Sequence, residues 1–159
     1  MKIKLQKIST LLTLILLLPL LALWGCDKRN NCCTVIDTAV QIYYKNTDGE
    51  NLINSSEAFR QENIRIYYKN GVEYEYVYNG NLDAPNMHYV EEDKDGKKIL
   101  TIFPSNYYND NFSISLIELN EITVDTLLCE FAITNNSEIC KNAWLNGTLL
   151  QNRYIEIAK

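Results

Sequence analysis

Cysteine is the residue type in this sequence with the widest range of chemistry. Its five copies are Cys26, Cys32, Cys33, Cys129 and Cys140. Cysteines form disulfides in oxidising compartments, whereas in reducing ones they more often bind zinc or stay free. A zinc site is not expected, because no CxxC spacing occurs and the single histidine is His88. The pattern therefore favours disulfides and predicts no metal and no other cofactor.

Residues that commonly carry catalysis are sparse. His88 lies in a predicted strand without a readable partner, so we expect a structural role for it. The sequence contains neither a Gly-x-Ser-x-Gly motif nor a glycine loop for phosphate. Acidic residues are numerous enough to supply the two carboxylates of a glycoside hydrolase, but nothing selects a pair. We therefore expect no enzyme, with a glycan-active hydrolase as the alternative.

One loop combines aromatic and polar side chains in the way a ligand site requires. It reads SNYYNDN from Ser105 to Asn111 and contains Tyr107 and Tyr108. Aromatic faces stack on sugar rings, and Asn and Asp side chains hydrogen-bond to hydroxyl groups. The loop is therefore a candidate site for a small glycan or a peptide. The competing interpretation is a polar loop whose tyrosine rings fold back onto the domain.

The N-terminal segment has the pattern of an export signal. Three lysines precede an apolar run of 14 residues, Leu11 to Trp24. A membrane-spanning helix needs about 17–25 apolar residues, so the run predicts a secretory signal. The run ends in Leu23-Trp24-Gly25-Cys26, which resembles the lipobox of bacterial lipoproteins. In that family the cysteine receives diacylglycerol and the signal is then removed.

The lipobox resemblance implies three segments: a signal peptide at 1–25, the lipidated Cys26 with a short tether at 26–33, and a folded domain at 34–159. The acyl chains would anchor the domain to a membrane. Four cysteines then remain, which allows three disulfide connectivities. A bond between the neighbouring Cys32 and Cys33 is strained. The two alternatives are a Cys129–Cys140 bond across a hairpin, and crossed bonds from Cys32 and Cys33 to that pair.

The net negative charge of the chain argues against anionic partners. Removing the signal takes away three lysines and no acidic residue, which lowers the formal net charge from −5 to −8. Nucleic acids and anionic lipid surfaces attract basic proteins, so neither is expected as the primary partner.

Short strands separated by Gly, Asn and Asp turns predict an all-β domain, an antiparallel β-sandwich of the immunoglobulin-like or transthyretin-like kind. Strands are predicted over 36–44, 64–68, 72–76, 87–92, 98–103, 112–118, 122–134, 139–145 and 153–158. The most readable hairpin is IRIYYKNGVEYEYVY. A bulged three-residue loop pairing Tyr68 with Val72 would place its apolar residues on one face.

The domain also resembles the small β-sandwich lipoproteins of Bacteroidota. The resemblance is carried by the stretches DGENLIN, IRIYYKNG, VDTLLCEF and AWLNGTLL. It implies a lipid-anchored protein of the outer membrane, and O-glycosylation acceptor patterns at Asp37-Thr38-Ala39 and Asp125-Thr126-Leu127. We therefore expect a non-enzymatic binding or scaffolding module of the cell envelope, with a glycan or an envelope protein as its partner.

Overall fold

The described part of the chain, residues 34–159 of a computed structural model, forms eleven β-strands and two short 3₁₀ turns and contains no α-helix. The 3₁₀ turns cover Glu57–Phe59 and Gln61–Asn63. The strands are β1 (Val35–Asp37), β2 (Val40–Lys45), β3 (Arg65–Asn70), β4 (Glu73–Tyr76), β5 (His88–Glu92), β6 (Lys98–Ile102), β7 (Phe112–Glu118), β8 (Val124–Thr134), β9 (Ser137–Leu145), β10 (Thr148–Leu149) and β11 (Tyr154–Ala158).

These strands form two sheets. The large sheet has the order β1-β9-β8-β7-β3-β4, with β10 paired to β9, and the small sheet has the order β11-β2-β6-β5. The pairs β1–β9 and β11–β2 are parallel, and the other pairs are antiparallel. The prediction of an all-β domain is confirmed. The prediction of purely antiparallel pairing is wrong, because each sheet contains one parallel pair.

A single hydrophobic core takes side chains from both sheets. Every second residue is buried along β7, and along β8 as far as Phe131, as expected for strands with one face against a core. Ile117 and Leu127 are buried from the large sheet, and Ile42 and Leu100 from the small sheet. Strand β6, one of the two inner strands of the small sheet, is buried on both faces from Ile99 to Ile102, and these positions are apolar except for Thr101.

The predicted first strand is two strands in different sheets. Val35–Asp37 pairs with β9 in the large sheet, whereas Val40–Lys45 pairs with β6 and β11 in the small sheet. The chain crosses between the sheets at Thr38 and Ala39. Arg153 fixes this crossing, because its guanidinium donates to both carboxylate oxygens of Asp37, at 2.7 and 2.9 Å. Residue alternation cannot reveal such a crossing.

The predicted register of the β3–β4 hairpin is also wrong. The chain turns at Gly71-Val72, and Tyr68 lies opposite Glu75 instead of Val72. Gly71 has a φ of +61°, which suits the first central position of a two-residue type II′ turn. Because β4 is an exposed edge strand and Val72 is 92% exposed, core burial does not select its register. The turn sets the register instead.

Candidate functional site

The loop that connects β6 to β7 is the predicted ligand loop, and its first half is held against β7. Ser105 is buried directly after Pro104. Its amide donates to the hydroxyl oxygen of Ser115 in β7 at 2.9 Å, and its own hydroxyl oxygen accepts from the amide of Tyr107 at 3.0 Å. These two hydrogen bonds fix the backbone that carries Tyr107.

The second half of the loop is a tight turn. The amide of Asn109 donates to the carbonyl oxygen of Phe112 at 2.8 Å, and the amide of Phe112 donates to the carbonyl oxygen of Asn109 at 2.9 Å. The two central residues, Asp110 and Asn111, have φ values of +50° and +68°, as a type I′ turn requires. Asn and Asp adopt this conformation more readily than most other residues. The turn leaves Asp110 exposed at its corner.

The two tyrosines of the loop have different environments. Tyr108 packs edge-on against Phe131 with ring centroids 5.0 Å apart, and its hydroxyl donates to the carboxylate of Glu138. Burial, followed by the Glu138 contact, raises the pKa of Tyr108, so its phenol stays protonated. Tyr107 contacts Tyr68 at 6.4 Å between ring centroids, yet remains 45% exposed. Tyr108 is therefore held by contacts within the domain, whereas the exposed ring of Tyr107 is available to a ligand.

A depression of about 760 Å³ lies on one side of Tyr107, and we call it the large depression. The pairing of β3 with β7 ends at Tyr68 and Ser115, and the large depression lies beyond this pair. Its lining residues are Lys69, Asn70, Gly71, Asn106, Tyr107, Tyr108, Asn109, Asp110, Phe112, Ser113, Ile114 and Leu128. The hydroxyl oxygen of Ser113 is buried and has no hydrogen-bond partner within residues 34–159.

A second depression of about 360 Å³, the small depression, shares Asn106 and Tyr107 with the large one. Its lining residues are Tyr68, Glu75, Tyr76, Val77, Tyr78, Asn79, Met87, Asn106 and Tyr107. Tyr78 is 65% exposed there. The two depressions together form what we call the Tyr107 groove. The β3–β4 hairpin and the residues just after it form one wall of the groove, and the β6–β7 loop forms the other.

The groove offers the chemistry that sugars require. The rings of Tyr107 and Tyr78 supply apolar faces, and Asn70, Asn106 and Asn79 supply amides that both donate and accept hydrogen bonds. The large depression also carries the ammonium group of Lys69 and the carboxylate of Asp110. Aromatic surface beside a few polar groups is the usual composition of a small-molecule site.

The two described cysteines do not form a disulfide. Cys129 and Cys140 are buried free thiols on β8 and β9. A register irregularity between Glu130 and Phe131 places Cys129 opposite Ala143 and Cys140 opposite Phe131. The thiol of Cys140 donates to the carbonyl oxygen of Asn142 at 3.4 Å, and the proximity of the two thiols raises the pKa of Cys129 and lowers that of Cys140. The pair is therefore close enough for its thiols to interact.

Other residues singled out in the sequence have structural partners. The ring nitrogens of His88 lie 3.1 Å from the Asn86 carbonyl oxygen and 3.4 Å from that of Gln61. Asp125, in the second acceptor pattern, is 1% exposed and accepts a hydrogen bond from Tyr44. These contacts give His88 and Asp125 roles in the fold.

Comparison with known proteins does not assign the chain to a family. No family model matches the chain, and the searches of curated proteins and of solved structures found no match. Within residues 34–159 the structure contains no helix long and apolar enough to cross a membrane. The predicted signal peptide, the lipid site at Cys26 and the candidate disulfide residues Cys32 and Cys33 lie outside the described residues.

Sequence reasoning identified the loop of the groove but missed the opposite wall. Gly71 and Asn70 carried a turn signal, and Tyr78 lay at the end of a predicted hairpin. Nothing in their local sequence indicated that these residues line a groove with Tyr107. Ser113 gave no signal either, because a serine in an alternating strand is unremarkable until its burial is known.

Proposed function

We propose that residues 34–159 form a non-enzymatic glycan-binding module of the bacterial cell envelope, with its two sheets arranged as a β-sandwich of the immunoglobulin-like or transthyretin-like kind. The observation that carries this proposal is the exposed ring of Tyr107, which lines both depressions and is surrounded by amide and charged side chains. Stacking of a sugar on Tyr107, with hydrogen bonds from Asn70 and Asn106, is the expected binding mode.

The composition of the groove supports binding over hydrolysis. Glycoside hydrolases usually place two carboxyl groups about 5–9.5 Å apart on either side of the scissile bond. The described lining of the groove holds two carboxylates, Asp110 in the large depression and Glu75 in the small one, so neither depression contains a pair of its own. Glu75 already accepts a hydrogen bond from the side-chain amide of Asn70 at 3.1 Å, an arrangement that favours binding over a catalytic role.

Membrane attachment through Cys26 completes the proposal. The pattern Leu23-Trp24-Gly25-Cys26 supports lipidation, and the tether at 26–33 would hold the domain near the outer membrane. The variant Cys26→Ser is expected to lose palmitate labelling and to leave the membrane fraction or remain uncleaved. Continued labelling of this variant with palmitate would contradict the anchor.

Calorimetric titration tests the glycan site directly. The probes are neutral tetrasaccharides with cello, xylo, laminari and chito linkages. We expect at least one to bind, and we expect Tyr107→Ala to weaken its binding about tenfold, the loss of one aromatic contact. The control is Tyr89→Ala, which removes a similarly exposed ring that contacts Phe103.

Unchanged binding by Tyr107→Ala would contradict the proposed site. Failure of the whole panel to bind, together with a stable protein partner recovered by crosslinking, would favour the scaffolding role instead. Circular dichroism spectra of both variants establish that each is folded before its affinity is interpreted.

A further inference from the structure

We propose that the Tyr107 groove binds an extended oligosaccharide, with one subsite on each side of the Tyr107 ring. This inference rests on the proposed glycan-binding function and adds the length of the ligand to it. It begins from the arrangement of the two depressions, which adjoin each other at Asn106 and Tyr107. A chain that occupies both would contact the two residues that they share, one of which is this exposed ring.

The size of each depression is sufficient for a subsite of its own. Small-molecule sites in proteins typically enclose about 300–1,000 Å³. The large depression measures about 760 Å³ and the small one about 360 Å³, so both fall within this range. A monosaccharide or disaccharide would occupy only one of them and leave the aromatic and polar groups of the other unused.

The two subsites offer different chemistry. The small depression presents Tyr78, an exposed ring beside Glu75 and Asn79. The large depression presents the charged side chains of Lys69 and Asp110. Stacking on Tyr78 at one end and hydrogen bonding at the other would give the groove a polarity along the sugar chain.

Both walls of the groove are fixed before a ligand arrives. The side-chain amide of Asn70, which lines the large depression, donates to the carboxylate of Glu75, which lines the small one, at 3.1 Å. The opposite wall is held by the hydrogen bonds between Ser105, Ser115 and Tyr107. Preorganised walls reduce the entropy lost on binding and so raise the affinity for whatever ligand fits the groove.

A chain-length series tests the two-subsite arrangement. The probes are mono- to hexasaccharides of whichever linkage binds in the tetrasaccharide panel, titrated calorimetrically against the wild-type chain. We expect affinity to rise about tenfold or more between the disaccharide and the tetrasaccharide. Tyr78→Ala should weaken tetrasaccharide binding about tenfold and leave disaccharide binding within twofold. Tyr89→Ala should change neither.

The outcomes separate this inference from the function on which it rests. The two-subsite arrangement would be overturned if affinity did not change with chain length, if Tyr78→Ala left binding unchanged and if Tyr107→Ala weakened it. That result would leave a single-sugar site. Affinity that Tyr107→Ala leaves unchanged at every saccharide length would overturn the proposed function as well. Thermal unfolding of Tyr78→Ala near the wild-type midpoint excludes misfolding, because Tyr78 is an exposed residue.

Discussion

The hydroxyl of Tyr44 donates to the carboxylate of Asp125 at 2.8 Å, and this buried hydrogen bond joins the two sheets. Tyr44 lies on β2 of the small sheet, and Asp125 lies on β8 of the large one. Asn146 donates to the same carboxylate at 2.7 Å, and the ammonium group of Lys159 also contacts it. Burial, reinforced by Asp125, raises the pKa of Tyr44 well above its usual value, so the phenol remains a donor.

Removing the Tyr44 hydroxyl should destabilise the domain. Tyr44→Phe leaves Asp125 buried with one donor fewer, and such a loss typically costs about 1–3 kcal/mol in the free energy of unfolding. The measurement is urea-induced unfolding followed by circular dichroism. The control is Tyr74→Phe, whose ring is exposed on β4. Equal stability of the two variants would show that the inter-sheet bond is not important to the fold.

Acid sensitivity of the fold should depend on Glu156. The hydrogen bond from Lys97, followed by those from Tyr154 and Lys45, lowers the pKa of Glu156 from 4.5 to about 2. A carboxyl group whose pKa is lowered in the folded state stabilises the fold above its ordinary pKa. That contribution is lost as the pH falls from about 4.5 towards 2.

Urea unfolding at pH 6 and pH 3 tests this linkage. Wild-type protein should lose more stability between these pH values than Glu156→Gln does, because glutamine does not titrate. Glu73→Gln, on the exposed strand β4, should behave like the wild type. Identical acid losses in Glu156→Gln and the wild type would contradict the role assigned to this carboxylate.

The turn of the ligand loop should tolerate glycine and reject a β-branched residue. Asn111 has a φ of +68°, which glycine adopts without strain and valine does not. We expect Asn111→Gly to keep the stability of the wild type within about 0.5 kcal/mol, and Asn111→Val to lose about 1–2 kcal/mol. Thermal unfolding of both variants measures this, and a stable Asn111→Val would contradict the type I′ turn.

The two buried thiols should differ in reactivity. The neighbouring Cys129 thiol lowers the pKa of Cys140, and the nearby charge of Arg153 acts in the same direction. Because the thiolate is the reactive form, limiting iodoacetamide should label Cys140 before Cys129. Peptide mass spectrometry locates the label. Arg153→Gln should slow labelling of Cys140, and preferential labelling of Cys129 would contradict this assignment. A mass lower by two hydrogens in unreduced protein would instead reveal the predicted Cys129–Cys140 disulfide.

Most of the strands could be predicted from sequence because the core imposes a period of two on them. The predicted strand Phe112–Glu118 matches β7, since its buried residues alternate along its whole length. Where core contact is absent the prediction failed. The edge strand β4 contributes no buried residue, so its register follows the turn at Gly71 instead of the apolar pattern. The break at Thr38-Ala39 was missed because alternation does not identify which sheet a strand joins.

The candidate site was only half accessible to sequence reasoning. The SNYYNDN loop drew attention because its aromatic and polar residues are adjacent in sequence. The different environments of Tyr107 and Tyr108 could not be predicted, because they depend on long-range contacts with Tyr68, Phe131 and Glu138. The opposite wall of the groove comes from a hairpin more than 25 residues earlier in the chain.

Mapping of amide chemical shifts by NMR during titration with a neutral tetrasaccharide is the most direct test of the central claim, a glycan site at Tyr107. We expect the largest shift changes at Asn106 and Tyr107, with smaller ones at Gly71 and Tyr78 across the groove. The amide of Tyr89, outside the groove, should stay within experimental error. Shift changes confined to residues outside the groove, or none with any tetrasaccharide of the panel, would contradict the proposed function.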